Sequence, residues 1–156
     1  MTGVRIVLRS VVGLAVVIFL SLPLLTGCAH PNKQLWYGTW IGEKGLYLKS
    51  VHLPDGTVQN FLKADDPTPI ERAKVQIVKC WLDSEGNTWF NTQGTIVEGP
   101  HKNTVPKIQT LEKIDKSGNH SEMMVAGVVE FDSKSFPAKI DPNDPYLYGS
   151  ATRSEK

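Results

Sequence analysis

Residues 74–97, KVQIVKCWLDSEGNTWFNTQGTIV, decide the fold of this chain. Two runs rich in β-branched and aromatic residues, 74–82 and 88–97, flank the sequence Asp-Ser-Glu-Gly-Asn at 83–87. Valine, isoleucine, threonine and aromatic residues favour strands, whereas glycine, asparagine and aspartate favour tight turns. The stretch therefore predicts an antiparallel hairpin.

The first run of this hairpin changes its apolar phase in the middle. Its apolar residues fall on one parity and then on the other: Val75 and Ile77, followed by Val78, Cys80 and Leu82. Because successive side chains of a strand point to opposite faces, the change predicts either a β-bulge near Ile77 or a strand buried on both faces.

Further turn sequences lie on both sides of the hairpin, at 54–56, 98–100 and 116–119. The segments between the turns are again β-branched and aromatic: 35–41, 46–53, 57–62 and 123–131. Turns separated by about 8–12 residues are typical of antiparallel meanders, sandwiches and barrels. We therefore predict one all-β domain over residues 35–156, a single antiparallel meander or barrel.

Three segments are less regular. Ile108, Leu111 and Ile114 have threefold spacing, which is compatible with a short helix, but their place in a series of strands narrowly favours a strand. Residues 64–72 are predicted to be a loop because prolines and acids interrupt both periodicities. The C-terminal residues from 137 onward are predicted to be irregular, with one closing strand at 146–152.

The N-terminal residues 1–27 have the composition of an export signal. Arg5 and Arg9 form a positive region, and residues 10–25 carry no charge. This apolar run has the length of a signal core and is shorter than the roughly 20 residues that span a bilayer. An uncleaved N-terminal membrane helix is the alternative interpretation.

The apolar run ends in Leu25-Thr26-Gly27-Cys28, which resembles the lipobox of bacterial lipoprotein precursors. The resemblance implies cleavage after Gly27, a diacylglycerol thioether on Cys28 and further acylation, with chains such as palmitate. Residues 28–34 would then be the lipidated cysteine and its tether. Ala29 at the next position implies the outer membrane if the organism has one. We therefore expect a cell-envelope protein whose partner is the membrane.

Charge and cysteine content limit the other classes of partner. Removing Arg5 and Arg9 from the 17 basic residues leaves 15 against 16 acidic ones, so nucleic acid is not an expected partner. With Cys28 lipidated, Cys80 has no intramolecular disulfide partner. We expect Cys80 to be a buried thiol, with an intermolecular disulfide as the alternative.

Catalytic and metal-binding motifs are absent from the sequence. It contains no GxSxG, P-loop, HExxH or GxGxxG motif. The histidines are far apart in the sequence: His30, His52, His101 and His120. We therefore expect no enzyme activity, no cofactor and no metal.

Gly38-Thr39-Trp40, at the start of the first predicted strand, resembles the G-x-W start of lipocalins and lipocalin-like barrels. The resemblance implies an up-and-down antiparallel barrel in which Trp40 plugs the closed end and Arg153 packs over it. The later lipocalin motif and the C-terminal helix are missing from this sequence.

These observations favour a lipid-anchored, non-catalytic binding module for a small apolar or amphipathic ligand. Its pocket would be lined by aromatic residues and one methionine: Phe61, Trp81, Trp89, Phe90 and Met123. The alternative is a structural or interaction lipoprotein with a solid barrel that binds another envelope protein. Its candidate surfaces are the loop at 64–70 and the chain after Pro137.

Overall fold

The computed structural model describes residues 31–155. A 3₁₀-helix over Pro31–Trp36 precedes eight strands: β1 (Gly38–Lys44), β2 (Lys49–His52), β3 (Thr57–Phe61), β4 (Glu71–Leu82), β5 (Thr88–Glu98), β6 (Lys107–Ile114), β7 (His120–Val128) and β8 (Tyr148–Arg153). Each strand pairs with the next in antiparallel orientation, and β8 pairs with β1 to close the barrel. The predicted all-β antiparallel barrel is confirmed. In the described part of the chain, no helix has the length and hydropathy to cross a membrane.

The hairpin of β4 and β5 contains the bulge that its sequence predicts. Ile77 pairs with Thr92, and the next pair is Lys79 with Asn91, so Val78 has no opposite residue. The extra residue shifts the parity of β4 by one position. Both halves of β4 consequently direct their apolar side chains, Ile77 before the bulge and Cys80 after it, toward the interior.

The segment with threefold spacing is the strand β6, as the sequence favours. The pattern arises because both faces of β6 are buried. Ile114 is fully buried on the inner face, whereas Leu111 has the opposite parity and is 6% exposed on the outer face. The long connection between β7 and β8, residues 129–147, covers this outer face, and the backbone oxygen of Asp132 accepts a hydrogen bond from Gln109 Nε2 at 2.9 Å.

The apolar core fills the end of the barrel at which β1 begins, which we call the closed end. The 3₁₀-helix covers this end and contributes Trp36. The core cluster contains one residue from each of most elements: Trp36, Trp40, Val58, Ile77, Phe90, Ile114 and Ala151.

The opposite end, which we call the open end, is covered by the chain's own connections. The β5–β6 connection places Val105 over the inner face of β7, where a Cβ at Gly127 would lie 2.5 Å from Val105 Cγ1. Glycine is required there because any larger residue would displace Val105 from this end of the barrel.

Cys80 does not have the predicted state. Its side chain packs partly buried against the core cluster, and its sulfur is disulfide-bonded rather than free. The prediction of a free buried thiol is therefore wrong. The other cysteine of the chain, Cys28, lies outside the described residues, as do the predicted signal at 1–27 and the first part of the tether.

Candidate functional site

The closed end holds Trp40 and Arg153 against each other. Trp40 is 2% exposed, and the Arg153 guanidinium carbon lies 4.4 Å from the centre of its ring. Arg153 also donates to three backbone oxygens: Gly118 at 2.8 Å, Tyr37 at 2.8 Å and Leu35. This is the arrangement that the lipocalin resemblance implies for the two residues. These hydrogen bonds join the end of β8 to the residues that precede β1.

Buried polar groups lie beside this pair. Glu112, which is 3% exposed, accepts hydrogen bonds from Trp36 Nε1 at 2.9 Å and from the Ser121 hydroxyl at 2.6 Å. Burial raises the pKa of Glu112. His52 bonds through Nδ1 to the Trp36 oxygen at 3.0 Å, and burial lowers its pKa to about 4. Because both groups are shielded from solvent and each is hydrogen-bonded to Trp36, their role is structural.

Acid is expected to destabilise the fold through His52. Between the ordinary pKa of 6.5 and the folded-state value of about 4, the unfolded chain binds a proton that the folded chain rejects. The stability that neutral His52 contributes is thus fully present above about pH 6.5 and is lost as the pH falls to about 4. This loss lowers the free energy of unfolding by about 3 kcal/mol. Urea unfolding at several pH values measures this loss.

His52→Gln is the control for this measurement, because its amide can still donate to the Trp36 oxygen but does not titrate. Titration of Glu112 is common to both proteins and cancels in the comparison. Wild type should lose more stability than the variant between these pH values. Equal losses would contradict the assignment to His52.

A second polar cluster lies at the open end. Glu71, whose side chain is 4% exposed, accepts a hydrogen bond from the Tyr47 hydroxyl at 2.7 Å and lies 2.8 Å from His101 Nδ1. Burial and the Glu71 carboxylate raise the pKa of Tyr47. The cluster joins the β1–β2 and β5–β6 connections to β4 across the barrel mouth. The sequence does not predict this cluster, since its members are far apart in the chain. The loop predicted at 64–72 is also wrong at its end, because Glu71 and Arg72 begin β4.

The five residues predicted to line a ligand pocket do not share one pocket. Phe90 and Met123 point into the barrel, and Phe90 is fully buried. Phe61 lies on the outer parity of β3, 6% exposed, with Lys49 Nζ 4.0 Å from its ring centre. Only Trp81 and Trp89 come together, as a cross-strand pair on the outer face.

The Trp81 and Trp89 rings border an open groove of about 440 Å³ on the outside of the barrel. Their centres are 6.1 Å apart and their planes differ by 12°. We call this site the Trp groove; its residues are Trp81, Asp83, Trp89, Asn91, Leu111, Pro137 and Ala138. The outward direction of the tryptophans follows from the register, because Cys80 and Phe90, one residue away on each strand, form an inward pair.

Polar groups hold and surround the aromatic pair. Asp83 accepts a hydrogen bond from Trp89 Nε1 at 2.8 Å, and the bonds from Trp89 and Asn87 hold the pKa of this carboxyl well below its usual range. Lys79 Nζ lies 5.0 Å from the centre of the Trp81 ring, and Lys113 Nζ lies 6.0 Å from that of Trp89. The groove thus combines apolar ring faces with a charged and polar margin.

The β7–β8 connection forms the far wall of the Trp groove through Pro137 and Ala138. The same connection borders a second open cleft of about 710 Å³, which is lined by residues 127–133 and Ser135. That cleft is formed by one continuous segment, whereas the Trp groove draws on β4, β5, β6 and the connection.

No family model, no curated protein and no solved structure matches this chain. The site must therefore be interpreted from its own geometry.

Proposed function

We propose that the mature chain is a lipid-anchored, non-catalytic binding module of the bacterial cell envelope, and that its ligand occupies the Trp groove. The observation that supports this proposal is the nearly parallel Trp81 and Trp89 pair beside an open space of about 440 Å³. Aromatic walls with a few polar groups are the usual lining of small-molecule sites. A small amphipathic molecule fits this combination.

The barrel interior is a poorer candidate for the ligand site. Phe90 and Ile114 are fully buried at its closed end, and Val105 packs over its open end. A ligand inside the barrel would have to displace packed side chains, whereas the Trp groove is already open to solvent. The outer groove therefore takes the place of the interior cavity that the lipocalin resemblance implies.

The described chain begins at the closed end of the barrel, where the 3₁₀-helix starts at Pro31. The aromatic pair lies on the last part of β4 and the first part of β5, which is also near the closed end. An anchor at Cys28 would hold the groove close to the membrane, which Ala29 suggests is the outer one.

The alternative function is a structural or interaction lipoprotein that binds another envelope protein through its surface. The packed barrel interior favours this alternative, and so does the exposure of the β7–β8 connection. Val129 is 90% exposed and Tyr146 is 91% exposed there. A protein that bound this connection would remove these two apolar side chains from water.

Replacing Cys28 with serine tests the anchor. The variant should stay unprocessed and carry no lipid, while the wild-type chain should start at Cys28 with the mass of a diacylglycerol adduct. Mass spectrometry of the full chain from a bacterial host measures both. Normal processing and membrane retention of Cys28→Ser would contradict the anchor.

The same samples show whether the Cys28 sulfur forms a thioether to lipid or a disulfide, because one sulfur atom cannot form both. If Cys28 carries lipid, the disulfide of Cys80 must join it to another molecule, and reduction of the purified protein should release that partner. If a disulfide joins the chain's two cysteines, a thiol reagent should label neither residue, and the lipid adduct should be missing.

A native mass spectrum of the full chain, released from nanodiscs, tests for a ligand. Added mass that disappears on denaturation supports the binding module. An unoccupied protein that crosslinks in cells to a single envelope protein through residues 129–147 would support the alternative.

A further inference from the structure

We infer that the β7–β8 connection is a displaceable lid. Residues 129–147, which we call the strap, lift from the outer face of β6 and β7 while the barrel stays folded. This inference goes beyond the proposed function, because the strap opens whether or not a ligand occupies the Trp groove. Three features of the strap support it: its shallow packing, its mostly internal hydrogen bonds and an unpaired acceptor beneath it.

The strap packs on the barrel without burying any residue of its own. Every residue from 129 to 147 is either exposed or only partly buried. Open space borders the strap on two sides, as the Trp groove and as the cleft of about 710 Å³. The barrel face beneath it carries the cross-strand pair of Leu111 and Met124, each 6% exposed. A segment with so few buried contacts opens locally at a lower free-energy cost than the barrel unfolds.

The hydrogen bonds of the strap are mostly internal. In the described chain, those made by residues 133–146 all lead to three aspartates of the strap itself: Asp132, Asp141 and Asp144. The strap is bonded to the barrel near its two ends. Gln109 Nε2 donates to the Asp132 oxygen at 2.9 Å, and the Val125 N–H donates to the Leu147 oxygen at 2.9 Å. The internal bonds persist when the strap lifts, so opening breaks few hydrogen bonds.

An unpaired acceptor lies beneath the strap. Gln109 is fully buried although it faces outward from β6, and its Oε1 makes no hydrogen bond with the described residues. A buried acceptor without a donor raises the free energy of the closed arrangement. Opening lets solvent reach this oxygen, which offsets part of the cost of exposing Leu111 and Met124. The closed strap therefore predominates over the open one by a small free-energy difference.

Opening of the strap also changes the Trp groove. Pro137 and Ala138 of the strap form the far wall of the groove, and Leu111 of β6 lines it as well. When the strap lifts, this wall moves away, and the groove becomes continuous with the face that carries Leu111 and Met124. The closed strap therefore limits the size of the molecule that the groove admits.

Oxidation of Met124 by hydrogen peroxide tests this inference on the full chain in phosphatidylcholine nanodiscs. Met124 lies on the covered outer face, and tandem mass spectrometry separates it from Met123, which points into the barrel. We expect the oxidation rate to stay nearly constant at urea concentrations below the unfolding transition, because local opening exposes little surface. A rate that rises with urea as steeply as the unfolded fraction would overturn the inference, because Met124 would then react only in unfolded protein.

Two variants of the strap locate the opening. Phe131 is 38% exposed, and its ring centre lies 5.6 Å from Lys107 Nζ of β6. Phe131→Ala removes this contact and should raise the Met124 oxidation rate about threefold or more. Tyr146→Ala is the matched control, because Tyr146 is an aromatic residue of the same strap that is 91% exposed. Its oxidation rate should equal that of wild type.

Equal oxidation rates in Phe131→Ala and Tyr146→Ala would overturn the inference. The urea midpoint of each variant, followed by tryptophan fluorescence, verifies that the rates are compared in folded protein. These measurements need no ligand, so a failure of the inference leaves the proposed function untouched, and a failure of the proposed function leaves the inference untouched.

Discussion

Replacement of Phe90 with alanine is expected to lower the free energy of unfolding by about 3–5 kcal/mol. Phe90 is fully buried, and its cluster neighbours come from the 3₁₀-helix and from several strands. Truncation removes the ring from the core and leaves a cavity that a closed barrel cannot collapse to fill, because the backbone ladders on both sides hold the strands apart. The loss therefore includes both transfer and cavity contributions.

Urea unfolding followed by tryptophan fluorescence measures this loss. Trp81→Ala is the control, because Trp81 is a large aromatic residue of the neighbouring strand that lies on the outer face and is only partly buried. We expect its stability loss to be much smaller than that of Phe90→Ala. A loss for Phe90→Ala below about 1 kcal/mol would contradict the assignment of Phe90 to the core.

Replacement of Arg153 with alanine is expected to cost about 3 kcal/mol or more. The guanidinium donates to backbone oxygens of Leu35, Tyr37 and Gly118 and lies over the Trp40 ring. Alanine would leave these oxygens without their donor and would uncover the ring. Glu112 would also lose the nearby positive charge, which lowers its pKa in the folded protein.

The variant Arg153→Lys distinguishes the contribution of the positive charge from that of the hydrogen-bond geometry. Lysine keeps the positive charge near Glu112 but has no planar fork to reach three carbonyl groups at once. We expect the stability of this variant to lie between those of wild type and Arg153→Ala. Urea unfolding measures all three proteins. Wild-type stability in Arg153→Lys would show that the hydrogen-bond geometry is unimportant and that charge alone is sufficient.

The local sequence was sufficient to predict the strands and to mark the place in β4 where the apolar parity changes. Strand formation depends on β-branched and aromatic content between turn residues, which is a property of neighbouring residues. The bulge after Ile77 was visible for the same reason, because a change of apolar parity is local. The threefold spacing at 108–114 was harder to interpret, since burial on both faces depends on a connection more than ten residues away.

The candidate site was predicted only in part. Trp81 and Trp89 were among the predicted ligand residues, and they border the Trp groove. The pairing register places them outside the barrel, whereas Phe90, adjacent to Trp89 in the chain, points inside. The polar cluster of Tyr47, Glu71 and His101 was missed, because its members lie on connections that meet only when the barrel closes.

By itself, the sequence determined an all-β domain of short antiparallel strands and the place in β4 at which the apolar parity changes. Each of these follows from propensities and spacings within a few residues. The tertiary structure decided which face of each strand points inward, which ends are covered and where an open groove remains. These features depend on the pairing of β8 with β1 and on the packing of residues 129–147 over β6. Such contacts join distant parts of the chain, and the spacing of neighbouring residues does not predict them.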